Sequence, residues 1–244
     1  MKQAQGIFIT GTDTEVGKTV VSTALLMALR DQGVDAGYLK PVATGGIEEN
    51  GRLVSPDLVF VREVAGLSDP AQSSNPLCLR HALAPLVAAR LEGVQISVAQ
   101  VRSLWRSTLE RRQFTIVEGV GGVMVPLTSR LILLDLMVDL DLPVLVVARP
   151  GLGTINHALR TVVAARDRGL KVVGFVFCGP DPDLPPDQAI PFNSQLITDF
   201  SGVPFLGSLP WLARDPRGMV KGEDLLAATK SLDLGPVLGL VPPR

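Results

Sequence analysis

Near the start of the chain, nine residues (GTDTEVGKT, Gly11 to Thr19) stand between an apolar run and an amphipathic stretch. The run before them, GIFITGT from Gly6, has the length and character of a buried strand. The stretch after them, KTVVSTALLMALRDQ from Lys18 to Gln32, repeats its apolar residues at helical spacing, and Gly33 supplies its stop. A strand that passes through glycine-bearing backbone straight into a helix aims free N–H groups and the positive helix end at one point, which suits an anionic phosphate. Gly17 lets backbone approach closely, Lys18 can reach terminal phosphates, and the Thr19 hydroxyl can coordinate Mg²⁺. The spacing departs from G-x-x-x-x-G-K-[ST], because five residues separate Gly11 from Gly17 and Thr12 holds the usual glycine position. An ordinary glycine turn is the alternative, and the strand–GKT–helix context favours a nucleotide site.

The same alternation continues along the chain. AGYLKPV, FTIVEG, PVLVVA, KVVGFVF and VPFLGSLP read as further strands. Val101 to Arg112 reads as an amphipathic helix, and GLGTINHALRTVVAARDRG as a loop opening into another. Strands joined by helix-length connections imply an α/β chain, a parallel sheet with helices on both faces. A composition of 46% apolar, 19% charged and 5% aromatic residues suits that class and excludes a disordered chain. Neither an internal repeat nor a low-complexity linker divides the chain, so residues 1–244 are expected to form a single P-loop domain. The Pro- and Asp-rich piece from Gly179 to Asp187 reads as a loop, with the path from Pro180 to Pro191 left open. Residues 232–244, rich in Gly and Pro, read as a loosely held tail.

With 23 Lys+Arg against 24 Asp+Glu the net charge is −1, which argues against a nucleic acid held by bulk charge. Cys78 and Cys178 lie far apart, as do His81 and His157, so neither a zinc site nor a disulfide scaffold has recognisable spacing. The cysteines read as small buried thiols of a reducing compartment, and the histidines as structural or supporting residues. No apolar run approaches the roughly 20 residues of a membrane span, and the first residues lack the apolar core of a secretion signal. The expectation is a cytoplasmic protein with no membrane partner.

Parallel-sheet proteins hold ligands at the carboxyl ends of their strands. Lys40 ends the second strand, before Pro41, and Glu118 ends FTIVEG, before the glycine-rich GVGG. Asp57 follows a glycine-rich loop containing Thr44, and Ser55-Pro56-Asp57 reads equally as a helix start. Thr19, Asp57 and Glu118 make an all-oxygen set that suits octahedral Mg²⁺. Two lysines, Lys18 and Lys40, converging on phosphates imply phosphoryl transfer, which needs positioning and electrostatics rather than a Ser–His–Asp set.

Taken in order, GTDTEVGKT, YLKPVATGG, IVEGVGG, GLGTINHALRT and GSLPWLA resemble dethiobiotin synthetase, over about Ile7 to Pro216. The resemblance implies a mostly parallel, about seven-stranded P-loop fold. It implies a homodimeric ligase of biotin synthesis that uses ATP and Mg²⁺ to join CO₂ to 7,8-diaminononanoate and close a cyclic urea. Glu15, Val16, Gly17, Lys18, Thr19 and Val20 would then wrap the phosphates, with Thr19, Asp57 and Glu118 around the metal. Lys40 matches the family's catalytic lysine, assisted by Lys18. Thr14 and Thr44 would contact the carbamate or its amines, and Gly119, Val120 and Gly121 would line the same cleft. The substrate carboxylate would bind at Gly153, Thr154, Ile155 and Asn156 of the other subunit, at a helix N-terminus.

One departure concerns the base. Where the family has an adenine-reading asparagine, this chain has Cys178 and Gly179, and a thiol lacks the amide's paired donor and acceptor. Loose discrimination among nucleoside triphosphates follows, with Pro210, Trp211 and Leu212 left to contribute backbone contacts. Arg217 stands where a family glutamate is expected. Two rivals compete with this reading. A P-loop partitioning or positioning ATPase usually carries a lysine early in the loop, where this chain has Thr12-Asp13-Thr14-Glu15. The other is a related amide-forming ligase for a larger acid, against which stand the GLGTINH block and the short chain.

Overall fold

The computed structural model describes residues 5–243 apart from 110, 181 and 184. The first apolar run is strand β1 (Gly6–Gly11), buried along its whole length, and the amphipathic stretch is α1 (Lys18–Asp31). Next come β2 (Ala36–Leu39), β3 (Val42–Thr44), β4 (Ile47–Glu49), β5 (Arg52–Val54) and α2 (Pro56–Ala65). The one-turn α3 (Ala71–Ser74) and β6 (Leu77–Leu79) lead to α4 (Pro85–Glu92), α5 (Val98–Leu109) and the long β7 (Phe114–Gly122). The second half alternates α6 (Leu133–Leu140), β8 (Val144–Ala148), α7 (Thr154–Asp167), β9 (Val172–Cys178), α8 (Ile190–Ser201) and β10 (Phe205–Leu209). It closes with α9 (Gly222–Ala228) and α10 (Gly235–Leu238).

Six strands form the central sheet in the order β10-β9-β8-β1-β7-β2, and every neighbouring pair is parallel. Successive side chains on a strand point to opposite faces. Ile7 and Ile9 of β1, Ile116 of β7 and Leu145 and Val147 of β8 therefore enter one core, shared with Leu25 of α1 and Leu58 of α2. Phe8, Val117, Val144 and Val146 enter the other, with Trp105 of α5, Leu136 of α6 and Ala158 of α7. A sheet buried on both faces explains why its strands read as continuous apolar runs.

Two expectations need correction. The central sheet has six strands, one for each of the six strand-like runs in the sequence, where the resemblance implies about seven. Pro41 has no N–H to give to a ladder, and the residues beyond it form β3, which pairs in parallel with β6 as a separate ribbon. The segment from Leu232 on, read as a loose tail, is packed. Leu232 and Val237 are buried, and Leu234, Leu238, Leu240 and Val241 lie against the α1 core. Gly235 and Pro236 open the short α10 that carries Val237 and Leu238; residue 244 is outside the described residues. In the 179–187 loop, residues 181 and 184 are likewise outside them, and Asp187 accepts from the N–H groups of Leu152 and Ala189.

Candidate active site

β1 lies between β7 and β8, so the loop that follows it emerges in the middle of the sheet's carboxyl edge. Ile9 is level with Glu118 on β7, and Leu39 on β2 is level with Val117. That register brings Lys40, one residue past Leu39, beside Glu118 and next to the loop. Gly17, with φ +95°, caps α1 without a side-chain hydrogen bond, which leaves the first-turn N–H groups for a ligand. α2 supplies the last element: Ser55 Oγ accepts from Leu58 N at 3.2 Å, and Asp57 lies in the first turn. Asp57 is thus both part of a helix start and part of the site.

Thr19, Tyr38, Lys40, Asp57 and Glu118 form one connected set. Thr19 Oγ1 lies 2.8 Å from both Asp57 Oδ1 and Glu118 Oε1. Lys40 Nζ bridges the same carboxylates, 2.6 Å from Asp57 Oδ2 and 2.7 Å from Glu118 Oε1. Tyr38 donates its hydroxyl to Glu118 Oε2 at 3.0 Å. Lys18 turns the other way and donates to the Asp13 carbonyl at 2.8 Å. Backbone holds Lys40 from both sides, since its N–H donates to Ser74 O and its carbonyl accepts from Asn75 Nδ2. Of these groups Lys18, Thr19, Lys40, Asp57 and Glu118 line a cleft of about 830 Å³, the size of a nucleotide or cofactor site.

Burial and charge divide the titrating groups. Burial pushes the Lys18 ammonium down to about 8, and the Glu118 and Asp57 carboxylates only partly offset that. Burial also opposes charge on Lys40, but Glu118 and Asp57 outweigh it and raise that ammonium above the usual lysine range. Asp57 is held below the usual carboxylate range because Lys40 and Thr19 overcome its burial. Tyr38, fully buried beside Glu118, is raised well above the usual phenol range and stays a donor.

Thr19, Asp57 and Glu118 fit a hard cation, with both carboxylates already within hydrogen-bond distance of the hydroxyl. No cluster of three His, Cys, Asp or Glu side chains capable of holding a metal exists among the described residues. Mg²⁺ fits that sparseness, because it commonly takes one or two carboxylates and completes its shell with phosphate oxygens and water.

Of the other residues singled out in the sequence, Thr14, Glu15, Gly17, Val20 and Thr44 line the cleft, as do Val120 and Gly121. Val16 points its side chain into the core, and Gly119 touches the site through its carbonyl, 3.4 Å from Lys40 Nζ. Cys178 ends β9 behind the loop: a Cβ added to Gly17 would sit 2.5 Å from its Sγ. Burial pushes that thiol up to about 11, so it is neutral. Gly179 and the Pro210, Trp211 and Leu212 segment are outside the lining; Arg214, Arg217 and Met219 border the cleft on that side. Thr154, Ile155 and Asn156 start α7 away from this chain's own cleft.

Three contributors were missed. Tyr38 and Lys40 are two residues apart on extended chain and so share a face, a signal that could have found the tyrosine. Arg149, past the end of β8, donates to Thr14 O at 3.1 Å and braces the phosphate loop. Arg214 lies 5.9 Å from the Phe60 ring centroid and 5.8 Å from that of Trp211, a placement no local pattern announces.

A glycine loop from a central parallel strand into a capless helix, backed by two buried lysines and an oxygen-only set, defines a P-loop nucleotide-binding protein. A family model described as an AAA domain matches residues 5–214. The ATP-dependent dethiobiotin synthetase of Thermodesulfovibrio yellowstonii is 34% identical over 242 residues, covering 96% of this chain and 99% of that protein. That of Anaeromyxobacter sp. (strain K) is 41% identical over 218 residues, covering 88% and 95%. The chain belongs to the ATP-dependent dethiobiotin synthetase family. Among solved structures, the MinC:MinD cell division protein complex of Aquifex aeolicus is similar with a TM-score of 0.57 and 14% identity, covering 99% of this chain and 98% of that one. At that identity the likeness concerns the fold alone. No helix among the described residues is long and apolar enough to cross a membrane.

Proposed function

We propose that the chain joins CO₂ to 7,8-diaminononanoate and closes the cyclic urea of dethiobiotin, converting ATP to ADP and phosphate. Beside family membership, one observation carries this reading: Lys18, Thr19, Lys40, Asp57 and Glu118, from four segments, converge on one cleft at the end of the phosphate loop.

One amine of the substrate takes up CO₂ and loses a proton to become a carbamate. A carbamate oxygen attacks the γ-phosphorus, the bond to ADP breaks, and a carbamic–phosphoric anhydride forms. The second amine attacks the carbonyl carbon, phosphate leaves, and the ring closes. Loop N–H groups and Lys18 hold the phosphates, and Lys40, anchored by Asp57 and Glu118, keeps a fixed positive charge beside them. Thr19, Asp57 and Glu118 would hold Mg²⁺, which when bound draws charge from the phosphate oxygens. Thr14 and Thr44 both line the cleft and would orient the carbamate and amines. Holding the two reacting ends together can supply roughly 7–11 kcal/mol in favourable cases.

The substrate's far carboxylate would bind at Thr154, Ile155 and Asn156 of a second copy, making the active form a homodimer with shared clefts. Their place outside this chain's own cleft supports that. Incubation with diaminononanoate, bicarbonate, Mg²⁺ and ATP should yield dethiobiotin. Nucleotide hydrolysis indifferent to the diamine would refute the ligase. Mixing Asn156→Ala and Lys40→Ala proteins should restore activity if clefts are shared; no recovery after proven subunit exchange would sink the shared site.

A further inference from the structure

We propose that Tyr38 is a positioning residue of this site: its hydroxyl fixes the plane of the Glu118 carboxylate and reserves Oε1 for Thr19, Lys40 and the cation. The inference rests on the nucleotide–metal reading above and concerns a residue that takes no part in the chemistry itself.

The two oxygens of Glu118 have separate duties. Oε1 meets Thr19 Oγ1 at 2.8 Å and Lys40 Nζ at 2.7 Å, on the cleft side. Oε2 meets the Tyr38 hydroxyl at 3.0 Å, on the core side. The last torsion of a glutamate is broad and roughly two-fold, so nothing in its own chain chooses between the oxygens. Glu118 is wholly buried, so solvent does not hold it either. The phenol makes that choice, and its own position is set by rigid packing: Tyr38 is 1% exposed, in the same core cluster as Ile7, Leu25 and Leu58. Strand pairing fixes the rest. Tyr38 is level with Ile116 on β7, two residues before Glu118, and lies two residues before Lys40 on its own chain. One short strand therefore delivers both the group that anchors the carboxylate from behind and the cation that meets it in front.

Outer partners that orient a metal-binding carboxylate typically carry 10- to 100-fold of metal affinity or activity. Tyr38→Phe keeps the ring and removes the hydroxyl. Mn²⁺ affinity, measured by electron paramagnetic resonance in the presence of ADP, should fall about tenfold or more. Metal-free ADP binding should hold, and kcat should fall with KM for the diamine unchanged. The chain has 1 Tyr, so growth on fluorotyrosine labels this position alone and gives a single ¹⁹F resonance. That resonance should move when Mg²⁺ is added to the ADP-bound protein. A folded Tyr38→Phe protein with wild-type Mn²⁺ affinity, or equal losses of metal and metal-free nucleotide binding, would overturn the role. If the Phe protein does not fold, the labelled protein, which keeps the hydroxyl, decides: a resonance indifferent to Mg²⁺ overturns the proposal. Wild type binding ADP but no Mn²⁺ removes the metal reading itself, and the inference with it.

Discussion

Lys18 and Lys40 are both buried, both at the mouth of the central sheet, and differ in what meets them. Lys40 Nζ lies between two carboxylates at 2.6 and 2.7 Å, whereas Lys18 Nζ meets only a backbone carbonyl, at 2.8 Å, among the bonds described. Burial therefore wins at Lys18, whose ammonium falls to about 8, and attraction wins at Lys40, whose ammonium rises. One lysine is compensated by the protein and the other is not. On the proposed reading, the phosphate loop holds a charge that nucleotide binding would relieve, while the carboxylate side holds one that is already met.

Removing each lysine should expose that difference. Lys40→Met leaves Glu118 buried with a charge that has lost its counterpart, and breaking such a pair costs roughly 3–5 kcal/mol. Urea denaturation of the nucleotide-free protein should show a loss of that order, and turnover should fall by about 10²–10³-fold, the usual cost of losing a preorganised charge donor. An unchanged urea midpoint would mean that Lys40 is not compensated as described, and near-normal kcat would remove it from the mechanism.

Lys18→Met should have the opposite sign. A fall from 10.5 to about 8 corresponds to about 3 kcal/mol of cost while both states are protonated. Replacing the ammonium with an apolar group should therefore stabilise the nucleotide-free protein at neutral pH while abolishing its tight hold on nucleotide. Between about pH 8 and 10.5 the unfolded chain keeps a proton that the folded protein has released, so the Lys18 contribution makes stability rise with pH. The advantage of Lys18→Met over wild type should accordingly shrink from about pH 7 to about pH 10 in paired denaturation curves. A constant difference would place the Lys18 ammonium in a far wetter setting than its 7% exposure suggests.

How far this contrast could be read in advance depends on distance along the chain. The loop and Glu118 announced themselves because each joins a strand end to glycine-bearing backbone, Lys18 because it follows Gly17 at a helix start, and Lys40 because it ends a strand before Pro41. Asp57 stayed ambiguous because Ser55-Pro56-Asp57 satisfies helix-start chemistry by itself, and only the fold shows that the same carboxylate also faces Thr19. Tyr38 carried a readable signal, its two-residue offset from Lys40, but it sat inside an apolar run where a core side chain is the ordinary reading. Arg149 and Arg214 act across large sequence separations, and no local pattern encodes such meetings. The tail misled for a compositional reason: Gly and Pro suggested looseness while Leu and Val between them provided the packing.

The smallest expected effect concerns the base of the proposed nucleotide, which on that reading neither lysine would touch. Phosphate and cation contacts are indifferent to the base, so selectivity must come from the far side of the loop. There Cys178 offers a neutral thiol pressed against Gly17 rather than an amide with paired donor and acceptor. Arg214 and Arg217 border the cleft on the same side, but Arg217 is engaged with Glu63 at 2.9 Å and Asp215 at 3.2 Å. A base-reading site that leaves polar groups unpaired with the wrong ligand can discriminate strongly, and one without such groups cannot. The kcat/KM values for ATP, GTP and CTP should therefore agree within about a hundredfold, or about 2.7 kcal/mol. A larger preference for ATP would show that backbone groups near Pro210 to Leu212 read the base in place of a side chain, and it would make the thiol's position irrelevant to specificity.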